Sequence, residues 1–300
     1  MHSDKRLSTY ILFAAIGVVI GAGFIAYPKA INYFERIKID KENQDVMLDI
    51  INSGIINRTV ENIKNIPSDK NDVPKNDVNE PEVILENAYL DVPFVCQAPL
   101  QTEENWKYHE ESCEEAALLQ VHYYIENKKT IDPQEAHEII LDMINWQENN
   151  FGEHRDLYAN DMKIFIRDYY GYEEDEIQII YNADILDIKK AVSAGYPVIV
   201  PIMGNVLQNP YYPEPGYHML TVIGYTPEHV ITNDVGTKRG KDFSYTYDMF
   251  TKATKAAGGD IIVIRKLPPK PELEAETGET SSIEENDSKT IDAETTKIME

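Results

Sequence analysis

Residues 112–124 read SCEEAALLQVHYY. The run has no glycine or proline and continues through IENKK, so it predicts a helix with Cys113 in its first turn. A thiol placed there meets the unpaired backbone N–H groups and the positive end of the helix dipole, which favour the reactive thiolate. Glu114 and Glu115 follow at once and oppose that charge, so a nucleophilic Cys113 requires a general base. His122 lies nine residues along the same helix, half a rotation away, and is excluded as that base. The partners must come from elsewhere in the fold.

Working outward, His218 opens the apolar run HMLTVIGY, the turn Thr226-Pro227-Glu228 reverses the chain, and HVITND returns it to Asp234. A hairpin over these runs places Asp234 within a few residues of direct opposition to His218. An imidazole oriented by a carboxylate keeps its second nitrogen free to take a thiol proton. Asn233, beside Asp234, is the alternative orienting residue. Gln97, in VCQAP, precedes Cys113 by sixteen residues; its side-chain amide, with the backbone N–H of Cys113, is a candidate oxyanion hole. The aromatic stretches NWKYH and NPYYPEPGYH offer Trp106, Tyr212 and Tyr217 as walls of a substrate cleft. A buried structural thiol, or a Cys96–Cys113 disulfide, is the competing reading of Cys113.

The remaining pattern fixes the class of fold. YLDVPFVCQAP has strand composition, and DPQEAHEIILDMINWQENN opens with an aspartate cap and a first-turn proline. DLYANDMKIFIRDYYG and NADILDIKKAVSAG are two further helices closing on glycine. YPVIVPI, HMLTVIGY, HVITND and DIIVIRK are strands, with one short helix, YDMFTKATKA, before the last. Helices first and antiparallel strands later define an α+β domain.

Composition narrows the function. The formal net charge is −24, with 29 Asp+Glu against 15 Lys+Arg over residues 89–267, which argues against nucleic acid as a partner. Two cysteines and no Cys-x-x-Cys or close His/Cys set imply neither a disulfide scaffold nor a metal, and nothing implies a cofactor. No GxxxxGK[ST] stretch is present, so no fused ATPase is expected. Residues 7–28, LSTYILFAAIGVVIGAGFIAYP, carry no charge. They are long enough to span a bilayer core of ~30 Å, and a cleaved signal peptide is the shorter-cored alternative. The expected organisation is a transmembrane anchor with flanks over 1–38, a partly helical linker over 39–88, a catalytic domain over 89–267 held outside the cytoplasm, and a disordered acidic tail over 268–300.

The ordered motifs LDVPFVCQAP, SCEEAALLQVHYY, GYHMLTVIGY and ITNDVGTKRG resemble cysteine peptidase family 39, the double-glycine-leader bacteriocin-processing peptidases, and especially their stand-alone 39-like relatives. The resemblance covers about Tyr89 to Leu267. It implies a papain-like fold without metal or cofactor, a peptide or protein substrate, and Cys113, His218 and Asp234 as the catalytic set with Gln97 at the oxyanion. In three places the sequence departs from that pattern: Glu114 follows the cysteine where glycine is usual, Val235 follows the aspartate where proline is usual, and TEENWKYHEE lengthens the Gln-to-Cys interval. A catalytically silent peptide-binding domain of the same fold, or a transglutaminase-like acyl transferase, is the alternative function.

Overall fold

The computed structural model describes residues 33–54, 83–102, 106–212 and 216–269. The uncharged run 7–28 and the acidic tail beyond Pro269 lie outside them. Among the described residues no helix is long and apolar enough to cross a membrane.

Eight helices and seven strands are described. The helices are α1 (33–52), α2 (Trp106–His109), α3 (Cys113–Ile125), α4 (Pro133–Phe151), α5 (Ala159–Tyr170), α6 (Ile185–Ser193), α7 (Gly204–Leu207) and α8 (Tyr247–Ala256). The strands are β1 (Ala88–Tyr89), β2 (Ile177–Ile180), β3 (Val198–Met203), β4 (Tyr217–Tyr225), β5 (His229–Asn233), β6 (Phe243–Thr246) and β7 (Ile261–Ile264). They form one antiparallel sheet in the order β2-β7-β3-β4-β5-β6, with β1 joined to β4. The α+β reading therefore holds.

Local chemistry explains the boundaries. Asp132 accepts from the backbone of Gln134 and Glu135 at 2.9 and 3.1 Å, Pro133 starts α4, and Gly152 ends it at φ 87°. Asp184 and Asp187 form a reciprocal box on α6. Helix α3 is the central one, buried at every residue except His122. Ala116 and Ala117, wholly buried, let it approach the sheet closely, and Thr221 on β4 donates to the Ala117 carbonyl at 3.3 Å. An amphipathic stripe is not needed on a helix enclosed on all sides.

The expected strand over YLDVPFVCQAP shortens to β1. Pro93 and Pro99 remove ladder donors, and the rest runs without a ladder, bending at Gln97 and turning at Pro99, held by isolated bonds such as Leu90 N–H to Ile223 O and Gln97 N–H to Val235 O, both 2.8 Å. Strands β2 and β6 and the short helices α2 and α7 are additions to the sequence reading.

Gly224 sits where β4 bulges against β5 and where β1 crosses closest. A side chain there would put Cβ 2.8 Å from the Ala88 carbonyl oxygen and 3.3 Å from Tyr89 Cα, both backbone atoms. Gly224→Ala is expected to cost about 1–3 kcal/mol in urea denaturation; an unchanged midpoint would show that β1 does not pack as described.

Candidate active site

The site lies between the start of α3 and one end of the β4–β5 ribbon. Cys113, at the first turn of α3, is 3 % exposed. Ser112 precedes it but does not cap the helix; its hydroxyl donates to Tyr108 O at 3.0 Å. Strand β4 pairs along its first six residues with β3, which fixes His218 opposite Ile202. In the β4–β5 register Thr221 faces Asn233, so one further step sets Asp234 diagonal to His218 on the same face. The carboxylate meets the ring there: His218 Nε2 lies 3.1 Å from Asp234 Oδ1. Asn233 points away, donating to Val92 O at 3.0 Å.

Asp234 has no exposed surface. Oδ1 also accepts from the Gly236 backbone N–H at 3.1 Å. Oδ2 accepts from Asn209 at 3.0 Å, Tyr212 at 2.6 Å and Tyr245 at 2.5 Å. Burial alone would push this carboxyl up, but the bonds and charge from His218 and the tyrosine hydroxyls outweigh it and hold it below the usual range. An ionised carboxylate only accepts, so His218 Nε2 carries the proton on that side, and in the neutral imidazole Nδ1 is then the nitrogen without one. Two glycines make room. A Cβ on Gly236 would lie 3.0 Å from His218 Nε2 and 2.9 Å from the Tyr212 ring; one on Gly240 would lie 1.7 Å from the Asp234 carbonyl oxygen.

Cys113 and His218 line one cavity of about 980 Å³. Trp106, Tyr212 and Tyr217 line it as well, as do Gln97, Glu110, Glu111 and Asp156. Two of these aromatic residues have committed hydroxyls: Tyr212 to Asp234, and Tyr217 to Leu157 O at 2.8 Å. Gln97 Nε2 donates to the carbonyls of His109 and Glu110, 2.9 Å each, closing the end of α2 with both its hydrogens. Its Oε1 is buried without a partner. Cys96 and Cys113 are both free thiols, so the disulfide is not formed.

The polar atom bonded to the thiol is a carboxyl. Cys113 Sγ donates to Glu114 Oε2 at 3.0 Å, and Glu114 Oε1 accepts from the Leu157 backbone at 2.9 Å. Glu115, equally buried, is bonded by Gln147 and lies 3.3 Å from His154 Nε2. Burial, then Glu114, Glu115 and Asp156, push the Cys113 thiol well above its ordinary value. Burial and the neighbouring Glu115 raise Glu114 in the same way. Both groups are thus shifted toward their protonated forms. Sequence reasoning missed Asn209 and Tyr245 at Asp234, and the acidic wall of Glu110, Glu111 and Asp156. Glu110 and Glu111 lie next to Cys113 in the sequence, whereas Asn209, Tyr245 and Asp156 reach the site only through the fold.

The model of the Peptidase_C39 like family matches residues 89–258, more than half of the chain, and the chain belongs to that family. At family level this is a papain-like peptidase domain. Among solved structures, a candidate C39-like peptidase from Bacillus anthracis aligns at 17% identity and a TM-score of 0.43, covering 61% of this chain and 99% of that one. A search of curated proteins returns no match to the chain.

The raised Glu114 carboxyl has a consequence for stability. A group whose folded pKa lies above its unfolded value, ~4.3 for glutamate, contributes stability that is complete below that value and is lost as pH rises through the folded one. Raising pH upward from about 4.3 should therefore weaken the wild type more than Glu114→Gln. Urea midpoints across that range check this, and parallel curves for the two proteins would contradict it.

Proposed function

We propose that this protein is a cysteine peptidase that hydrolyses a peptide or related amide bond through an acyl-enzyme on Cys113. His218 Nδ1 takes the thiol proton as Sγ attacks the carbonyl carbon, and the resulting imidazolium returns it to the departing amine. Water then attacks the thioester with the same nitrogen as base, releasing the acid and restoring the thiol. Asp234 holds the ring in the required tautomer and offsets the imidazolium charge. The observation that supports this reading best is the 3.1 Å bond from His218 Nε2 to the caged Asp234 carboxylate, which leaves Nδ1 for a cavity shared with Cys113.

The oxyanion donors follow from the start of α3. The backbone N–H of Cys113 is one. Gln97 is the second in this proposal, and it can serve only by releasing one of the two carbonyls it now holds. Trp106, Tyr212 and Tyr217 are proposed to contact substrate. The cavity carries Glu110, Glu111 and Asp156 and, among the described residues, no lysine or arginine, which favours a substrate segment without negative charge. We further propose that residues 7–28 anchor the chain in a membrane with the domain outside the cytoplasm, that 39–88 run from anchor to domain with their helical first part packed on it as α1, and that the tail from 268 is a solvated acidic extension.

A second reading, a silent peptide-binding domain, draws on the thiol's bond to Glu114 and its raised pKa. Iodoacetamide separates the two. In the catalytic reading Cys113 alkylates faster near neutral pH than a denatured control thiol, and His218→Ala lowers that rate by roughly 10²- to 10⁴-fold. Equal rates in wild type, control and variant would favour the binding module. Product analysis with an added amine then distinguishes hydrolysis, which yields free acid, from acyl transfer.

A further inference from the structure

Helix α1 lies outside the residues that match the family, yet it is built into the domain. Its inward stripe is Arg36, Asp40, Asn43, Met47 and Ile50, spaced by three or four residues. The apolar end of the stripe enters the core, where Val46 is 9 % exposed and Ile50 not at all. The polar end meets two features of the sheet region. Asn43 Oδ1 accepts from the Ser244 backbone at 2.9 Å and from its hydroxyl at 2.7 Å, which satisfies a donor on the terminal strand β6. Farther along, α1 grips the segment that carries Tyr211.

That grip is specific. Asp40 Oδ1 accepts from Tyr211 OH at 2.7 Å, and Asp40 Oδ2 accepts from Arg239 Nη1 at 2.8 Å. The guanidinium groups of Arg36 and Arg239 lie 5.1 and 5.2 Å from the Tyr211 ring centre. Arg36 also donates to Pro210 O at 2.9 Å. The residues on either side of this clamp serve the site: Asn209 and Tyr212 both donate to Asp234 Oδ2. Asn209 further accepts from the Tyr211 backbone at 2.9 Å, tying the clamped residue to the one that holds the carboxylate.

We propose that α1 is a positioning element of the site: Asp40, through Tyr211, holds residues 209–212 so that Asn209 and Tyr212 stay bonded to Asp234. The proposal rests on the catalytic reading for its role in activity, but its geometry stands apart from it. The catalytic unit then includes 33–52, and the carboxylate's surroundings depend on how the chain upstream of the domain is seated.

The test uses the full chain with Asp40→Ala, Asp40→Asn and, as control, Glu42→Ala, which removes an α1 contact to His229 at the far end of β5 (3.6 Å). Carbon-13 NMR of the Asp234 carboxyl follows its titration, and iodoacetamide follows Cys113. In Asp40→Ala the Asp234 titration is expected to rise toward the ordinary aspartate range, because two of its donors are loosened, and alkylation to slow several-fold. Asp40→Asn keeps an acceptor for the Tyr211 hydroxyl and should stay near wild type, as should Glu42→Ala. An Asp234 titration unmoved in Asp40→Ala, or moved equally by Glu42→Ala, overturns the proposal. Should wild-type Cys113 alkylate no faster than a denatured thiol, the catalytic reading fails, while the carboxyl titration still decides the positioning claim.

Discussion

A carboxylate sealed from water survives as an anion only if the protein supplies what water would have, and at Asp234 it supplies five donors. His218, the Gly236 backbone, Asn209, Tyr212 and Tyr245 converge on two oxygens. They come from β4, the turn just after Asp234, the 209–212 segment and β6, so the β4–β5 register, the β5–β6 pairing and the segment after α7 must all be right at once. The ring of His218 is the beneficiary. It is bonded on one nitrogen, set edge-on to Tyr212 with centroids 5.0 Å apart, and given space by the missing side chain of Gly236.

Across the cavity the same chemistry is set the other way. Glu114 and Glu115 are as buried as Asp234 but are given fewer donors, so burial, and at Glu114 also the charge of Glu115, shifts them toward the neutral acid. Two environments thus drive carboxyl groups of ordinary intrinsic acidity apart, one toward the anion and one toward the neutral acid. The anion fixes the His218 ring, and the upward shift of Glu114 limits the negative charge beside the thiol at the start of α3. Glutamate at the position after the cysteine is thereby compatible with a nucleophile, provided that it stays protonated.

Much of this was legible in the chain, and the parts that were not share a cause. The capped helices α4 and α6 announce themselves through Asp132, Pro133 and Asp184, and the His218–Asp234 approach follows from a hairpin whose turn is marked by Pro227. Those signals are local. The strand expected over 89–99 failed because prolines, and not apolar content, decide whether a segment can join a ladder. Strand β6 and the short β2 carry too few residues to show alternation. Asn209 and Tyr245 reach Asp234 from 25 and 11 residues away, and only the sheet order brings them together. Gln97 is the instructive case: its position near the cysteine was readable, but the capping of α2 by its amide was not, because that depends on where His109 and Glu110 end.

The central claim is that the ionised Asp234 holds the proton on His218 Nε2 and leaves Nδ1 bare toward the cavity. Nitrogen-15 NMR of the His218 ring, in the neutral state of the imidazole, reads this directly. The expected result is a protonated Nε2 with its hydrogen in a bond to Asp234 and an unprotonated Nδ1, with that preference collapsing in Asp234→Ala. A ring protonated on Nδ1 in the wild-type protein would contradict it.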